Sequence, residues 1–474
     1  MFLYDFKFDD LSKIAYNKLL QYQKNYKIKP SFYIINFEDL NRTHRCNPLD
    51  PASMDDITDA TESSRTIMLG LNRDWVKKEG DFFVESPINF LTAIIWYLRK
   101  YENGKYCTLP HVIELMQVDY DKLFAILQTE EEIKVLINPF ISAYQNKAMA
   151  QLEGQIASAK IGLVRLASPQ LYYVLSGNDF TLDINNPMSP KIVCIGNNPQ
   201  KIKTYGAVLS LYVNRLLKIV NQKDKLKTSL IFDEFPTLTC DIIPTISTGR
   251  SNLISVALGI QNEKQLKKDY GAEQSDVIVG IVGNIISGQV TGDTAKNLSE
   301  NFGKIMQDRE SLSINSSDTS VSKSTQLDYA IPAAKIAALS SGEFVGIVAD
   351  DPDCKIKLKL FHSEIVNDHA AIKAEEANFK PIPIISVVTE EDVQEVYLRI
   401  KQDIEDLIGT ELALLNAQEI LEEEESIEQT IADVVGVEQS LLNAQKILED
   451  NTEIEQESPD HPDDDDESNT SIST

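Results

Sequence analysis

Two adjacent carboxylates, Asp233 and Glu234, close the apolar run Leu230-Ile231-Phe232. At the end of a buried strand such a pair suits hydrolysis of a nucleoside triphosphate. The first carboxylate holds the water shell of Mg²⁺, and the second orients or deprotonates the water that attacks the γ-phosphate. An apolar strand ending in Asp-Glu also serves as a solvated strand end or a helix cap, so residues at fixed distance carry the added weight. Arg250 closes Thr248-Gly249-Arg250, 17 positions after Asp233, and Gln261 leaves the run Ile254–Ile260 a further 11 positions on. A Gln leaving the strand beside the Asp-Glu strand can contact the γ-phosphate and sense its hydrolysis. An Arg on a preceding helix or loop can reach a neighbouring subunit's nucleotide and stabilise transition-state charge. Taken singly, a surface Gln and an Arg in a surface ion pair remain open readings.

The elements that must position these residues are legible as apolar runs. Met1 to Tyr4 reads as a buried strand running into the loop Asp5-Phe6-Lys7, so the chain starts inside a sheet. A helix over Leu11 to Tyr26 follows, then a second apolar run, Ser31 to Phe37. From Pro87 to about Gly177 the period is helical throughout, with Phe90, Leu91, Ile94, Ile95 and Leu98 at three and four spacing, which predicts an all-helical insertion. Strand patterns return at Lys191 to Gly196, Ser229 to Phe232, Ile254 to Ile260, Asn284 to Ser287, Phe344 to Ala349 and Lys355 to Phe361; the helix after the first of these has Ala207, Val208, Leu211, Leu216, Ile219 and Val220 on its apolar face. Near-continuous apolar strands separated by helices predict a parallel sheet covered on both faces. Ser311 to Thr325, rich in Ser and Thr and without apolar period, reads as a mobile loop.

Composition bounds the function. The formal charge is −28, but Glu411 to Thr474 holds 20 acidic residues against one Lys, which leaves only about −9 for the body. That body is not basic, so a nucleic-acid grip must be a local patch; Arg99, Lys100, Lys267 and Lys268 read equally well as solvated surface. Cys46, Cys107, Cys194, Cys240 and Cys354 are scattered, with no CxxC spacing and no His cluster, which argues for incidental thiols in a reducing compartment. No window reaches the roughly 18 to 20 apolar residues of a membrane span, and the start lacks a signal peptide; the chain alone is expected to be cytoplasmic. In the tail, Leu415-Asn416-Ala417-Gln418 recurs as Leu442-Asn443-Ala444-Gln445, which suggests two short amphipathic helices. Ser458 to Thr474 has too little apolar surface to order itself.

The segments IFDEFPTL, TGR and GIQNEKQLKKDYG, followed by GNIISG, resemble the C-terminal half of the motor in TraG/TraD-like type IV secretion coupling proteins, including Bacteroides-type mobilisation proteins. The opening LYDFKFDDLSKIAYN, RCNPLDP and SGEFVGIVAD look like the same family, so the likeness covers roughly residues 1 to 365. The resemblance implies a RecA-like P-loop NTPase-type α/β fold that forms a homo-hexamer and couples ATP hydrolysis to export of relaxase-bound DNA. On this reading Asp233 and Glu234 match the Walker B pair, with Asp233 holding Mg²⁺ through water; Arg250 is the trans-acting arginine, and Gln261 is the sensor that meets the nucleotide. The implied layout is a first RecA-like segment over 1–84, an all-helical inserted domain over 85–186, a second RecA-like segment with Walker B over 187–365, a helical connector over 366–410, and an acidic, largely disordered tail over 411–474.

One departure is decisive. The family's phosphate loop reads GxxxxGK[ST], and the only Gly-Lys pairs here, Gly104-Lys105 and Gly303-Lys304, do not fit it. The sheet is therefore expected to be incomplete, lacking its P-loop and its first strand, a central one in RecA-like sheets, with unpaired backbone groups and an uncovered apolar edge. The chain alone is then expected neither to hydrolyse ATP nor to be very stable. ATP and Mg²⁺ enter only if the missing part is supplied, from a mis-called start or a split gene. In the full-length form the expected place is the cytoplasmic face of the inner membrane, with relaxosome proteins, transferred DNA and type IV secretion channel components as partners. The alternative function is a non-enzymatic docking module that recruits relaxosome proteins through the helical domain and acidic tail. A different RecA-like translocase, such as a chromosomal or phage DNA pump, is disfavoured by the helical insertion.

Overall fold

The computed structural model describes residues 1–454, apart from residues 79, 316–317, 351–354 and 357–358. The expected disordered segment Ser458 to Thr474 and Cys354 lie outside the described residues. The chain divides into one unit over Met1–Asp406 and a second over Leu407–Thr474.

In the first unit β1 (Phe2–Asp5), β2 (Ser31–Ile35), β3 (Lys191–Gly196), β4 (Thr228–Phe232) and β5 (Ile254–Leu258) form one parallel sheet in the order β2-β3-β1-β4-β5. The register sets Leu3 opposite Cys194 on one side and Ile231 on the other. The opening apolar run thus lies at the centre of the sheet, and β2 and β5 are its two outer strands among the described residues. Both β1 and β3 are buried along their whole length, as parallel strands covered on two faces must be.

α1 (Asp10–Tyr22) joins β1 to β2. Between β2 and β3 all described helices and strands are helical: α2 (Ile57–Leu71), α3 (Phe82–Lys100), α4 (Leu109–Leu115), α5 (Tyr120–Leu127), α6 (Lys134–Gln145), α7 (Met149–Val164) and α8 (Pro169–Leu175). The axis of this insertion is α3, buried almost all round, with Phe90 packed on Phe124 and Phe140. α9 (Ile202–Val220) packs on α2 and leads back to β4, and α10 (Ile243–Thr248) precedes β5. After β5 come α11 (Glu263–Tyr270), α12 (Ala272–Ile281), α13 (Gly292–Asn301) and α14 (Ala333–Ala337).

Three of the anticipated strands do not join the parallel sheet. β6 (Ile285–Ser287), β9 (Glu343–Ile347) and β10 (Leu360–Glu364) form a separate antiparallel sheet in the order β10-β9-β6. No described helix lies between β9 and β10, and without a crossover helix neighbouring strands pair antiparallel. The stretch read as a mobile loop, Ser311 to Thr325, lies in a two-stranded ribbon of β7 (Lys304–Asn315) and β8 (Asp318–Tyr329). A ribbon held by backbone hydrogen bonds needs no apolar period, which is why its pattern was silent.

α15 (His369–Glu376) lies in the connector, followed by α16 (Glu390–Ile454). The first turns of α16 bury Val393, Val396, Ile400 and Ile404 and meet the helical insertion through Asp403 on His111 (3.2 Å) and Lys401 on Glu114 (3.1 Å). Within the second unit α16 runs unbroken through both LNAQ repeats, so the expected two short helices are one. Its apolar residues there, among them Leu421, Ile431 and Leu442, are exposed.

Candidate functional site

Phe232, the last residue of β4, stands opposite Tyr4 of β1 and Leu258 of β5. The segments that follow, Asp5 to Lys7, Asp233 to Glu234 and Gly259 to Gln261, therefore leave the sheet together at the carboxyl ends of its strands, where open α/β sheets place ligands. Asp233 N donates to Tyr4 O (3.1 Å), Gly259 N to Phe232 O (2.7 Å), and Phe235 N to Gly259 O (2.8 Å). A Cβ on Gly259 would lie 3.1 Å from Phe232 O, so this close stitching of β4 to β5 depends on glycine.

Glu234 adopts a left-handed backbone conformation (φ 57°), uncommon for a residue with a Cβ. Its surroundings hold it there. Thr237 donates to Glu234 O through both its N–H (3.0 Å) and its Oγ1 (2.7 Å). Thr237 Oγ1 is in turn bonded to Tyr4 OH (2.6 Å), which accepts from Asn197 Nδ2 (2.7 Å). Arg73, on the short turn between α2 and α3, donates to Pro236 O (2.8 Å) and Thr237 O. Phe235 stacks on Tyr270 of α11 at 5.0 Å, and Tyr270 OH donates to Leu238 O (3.0 Å). Local strain held by so many contacts is a mark of functional backbone.

Glu234 as a residue is only 7% exposed, and its Oε1 is buried. Burial raises its pKa and Asp233 adds to the rise, while the Gln261 and Gln265 amides oppose it. Neither amide closes a well-formed hydrogen bond on Oε1, which is buried and without a partner. Asp5 shows the same tension: burial lifts it to about 6, against Ser12 N (2.8 Å) and Ser12 Oγ (2.7 Å) donating to Oδ2, and its Oδ1 is also orphaned. Two such atoms, Asp5 Oδ1 and Glu234 Oε1, lie at the carboxyl ends of β1 and β4, where a polar ligand would supply the missing bonds.

Of the four residues expected to act, the structure gathers Asp233, Glu234 and Gln261. Arg250 lies apart, in the turn Gly249–Asn252 that enters β5, at the opposite end of the strands and exposed. It cannot serve the site of its own chain, and an arginine that acts on a neighbouring subunit has no need to. Asp5 and Arg73 support the site without standing out among its candidate residues, and Tyr270, from the GIQNEKQLKKDYG segment, supports it as well. The signal for Asp5 was an acidic residue closing the first apolar run; for Arg73 there was none. Of the cations considered for nucleic acid, Lys100 pairs with Glu132 (2.6 Å), Lys267 with Glu263 and Asp276 (both 3.0 Å), and Arg99 donates to Met54 O (3.3 Å). Cys46, Cys107, Cys194 and Cys240 are free and buried, their thiols pushed up by burial.

Comparison with known proteins decides what this geometry belongs to. A family model described as "Type IV secretory system Conjugative DNA transfer" matches residues 10–332. The chain belongs to this family. Among solved structures, the bacterial conjugative coupling protein TrwBΔN70 in its unbound monoclinic form superposes with TM-score 0.55 at 14% identity, over 81% of this chain and 87% of that one. The plasmid coupling protein TrwB in complex with ADP and Mg²⁺ gives TM-score 0.55 at 14% identity, over 81% and 86%. A third structure, TrwB with a non-hydrolysable ATP analogue, gives 0.55 at 14%, over 77% and 85%. No curated protein matches. The conjugative-transfer fold is thus the RecA-like α/β sheet with its helical insertion, and the chain has a coupling-protein role in DNA transfer, which carries interaction with DNA and a type IV secretion system. Among the described residues no helix is long and apolar enough to cross a membrane.

The residues fit Mg²⁺ and nucleotide in part. No group of three or more His, Cys, Asp or Glu among the described residues could grip a metal unaided; the metal-side contribution would come from Asp233 through water. Glu234 Oε1, orphaned and buried, fits a nucleophilic water. Nothing in the sequence supplies the glycine-rich loop and lysine that hold phosphates: Gly104-Lys105 lies in a turn and Gly303-Lys304 enters β7.

Proposed function

We propose that the chain is the hydrolytic part of a coupling-protein motor that drives relaxase-bound DNA toward a type IV secretion channel, and that its phosphate-holding loop comes from a segment outside this sequence. The observation that carries this is the buried and strained Glu234, whose Oε1 has no partner, set between Asp233 and the Gln261-bearing strand end. A bound Mg²⁺–ATP would supply the electrophilic γ-phosphate. Asp233 would hold the metal's water shell, Glu234 would accept the proton of the attacking water, and Gln261, just ahead of α11, would contact the γ-phosphate. Burial helps Glu234 here, since a raised pKa makes it a better base near neutral pH. Arg250, exposed in the turn that enters β5, would serve the next subunit of a homo-hexamer. The full-length form sits at the cytoplasmic face of the inner membrane.

The test is MgATP hydrolysis by the chain as given. No turnover above background is expected; a rate that disappears in Glu234→Gln would show that the site is complete without a further segment. The exposed apolar and acidic residues of α16 in the second unit support a second reading, in which that helix docks a basic relaxosome protein. Affinity that falls steeply with salt, and is unchanged by Glu234→Gln, is its signature.

A further inference from the structure

Within the second unit α16 carries one unbroken apolar series at sevenfold spacing: Ile420, Ile427, Val434 and Leu441, which the sequence continues to Leu448. The first four are each more than half exposed. On a helix of 3.6 residues per turn such a series falls back by about 20° per step, so it makes a shallow stripe that a left-handed supercoil keeps turned toward one partner helix. The two LNAQ copies do not make that stripe. They are 27 positions apart, about 7.5 turns, and so lie on opposite sides of the helix. With the apolar series at the d positions of a heptad, the a positions between them are Glu424, Ile431 and Glu438. Both glutamates are exposed, and from Leu407 to Leu448 nine carboxylates stand against a single cation, Lys446.

Resting on the docking reading of α16 given above, we infer that this stripe seats a helix of a different protein, apolar at its own heptad positions and carrying Lys or Arg in the two seam layers that face Glu424 and Glu438. The apolar series selects a helix as the occupant, since a heptad seam is covered along its length by a second seam. The glutamates select which helix. A second copy of α16 would bring carboxylates against carboxylates across the seam, and like charges so juxtaposed are strongly disfavoured. An apolar residue in those layers would bury each carboxylate without a partner. Nucleic acid and an anionic membrane surface meet the same negative field. A cation in each layer answers both the burial and the charge. The spacing then sets the register: Glu424 and Glu438 are 14 positions apart, and a slip of one heptad would move both cations off them, onto Ile431 and Gln445 or onto Ala417 and Ile431. The two carboxylates thus cost stability in the seam and reject both the wrong partner and the wrong alignment.

The whole chain is titrated, by fluorescence anisotropy, with synthetic helices that carry Leu at a and d. One kind has a Lys pair at seam positions spaced as Glu424 and Glu438 are, one has a Glu pair there, and one has the Lys pair moved to outward positions. The pair is set at a in one peptide of each kind and at d in another, so that both helix directions are read. One seam-Lys peptide is expected to bind at least about tenfold more tightly than its seam-Glu and outward-Lys counterparts. The variant Glu424→Lys/Glu438→Lys, changed only at exposed positions, is expected to invert the ranking of the Lys and Glu peptides. Equal binding of seam-Lys and seam-Glu peptides, or no inversion in the variant, would overturn the seam. Equal binding of seam-Lys and outward-Lys peptides removes the seam and leaves docking by charge alone, whereas no binding by any peptide removes both. In sedimentation velocity Glu424→Leu/Glu438→Leu is expected to self-associate more than the parent. Self-association of the parent that is lost on Ile427→Asp would put a second copy on the stripe and overturn the proposal.

Discussion

On the β2 side of the sheet α1 seals Leu3, Ile34 and Cys194 from water, while on the β5 side Ile231, Ser255 and Ala257 keep contact with it. The same five strands thus make a finished wall at one flank and an unfinished one at the other. The carboxylates and the strand that leads to Gln261 lie at the unfinished flank, beside Gly259, whose Cα is held close to Phe232 O. Stability and chemistry are segregated across the sheet, and the difference teaches that burial is concentrated on the flank away from the carboxylates.

Deleting side chains across that divide gives the largest contrast. Leu3→Ala removes a buried side chain from the sealed flank and is expected to cost about 3 kcal/mol, whereas Ile231→Ala, half-buried on the open one, is expected to cost under about 1.5 kcal/mol. Urea midpoints of the two variants check this. Equal losses would mean that the open flank is packed in solution, by a second copy or by rearrangement, and would break the comparison.

A smaller effect sharpens it at the mouth of the central strand. Burial raises Asp5 from its ordinary 3.8 to about 6, so the folded chain holds this proton more tightly than the unfolded one. The stability it contributes is fully present below about pH 3.8 and is lost as pH rises through about 6. Asp5→Asn keeps an acceptor for Ser12 N and Oγ and removes the ionisation, so its advantage over the parent is expected to grow between pH 4 and pH 8 to about 2 kcal/mol. Stability curves of parent and variant that run parallel across this range would show that Asp5 is solvated rather than sealed.

Much of this arrangement was legible in residue order. The five strands of the parallel sheet were apolar runs, the chain did start inside the sheet, and Asp233, Glu234 and Gln261 meet because the runs that carry them pair in register. Partner choice was not legible. Asn284 to Ser287 and Phe344 to Ala349 look like the other runs, yet pair antiparallel elsewhere, because an apolar strand signals that it is covered and not by what. Nor could spacing reveal Arg73 under the Glu234 loop or the burial of Asp5, since both arise from contacts across more than one layer. Arg73 reaches Pro236 and Thr237 from an element 163 and 164 positions away.

The smallest expected change tests whether the open flank is held ready for chemistry. Glu234 keeps a buried Oε1 without a partner and a raised pKa, both of which work against the folded state at neutral pH. A residue selected only for stability would not stay so placed. Glu234→Gln removes the charge, keeps the volume and offers an amide to Gln261 and Gln265. It is therefore expected to raise stability at pH 8 by less than about 1 kcal/mol, with no gain at pH 4, where the parent's carboxyl is already protonated. Thermal melts at the two pH values decide it. A loss at pH 8 would mean that the carboxylate is satisfied in the folded chain, and that the site is closed rather than waiting for the water and nucleotide that would complete it.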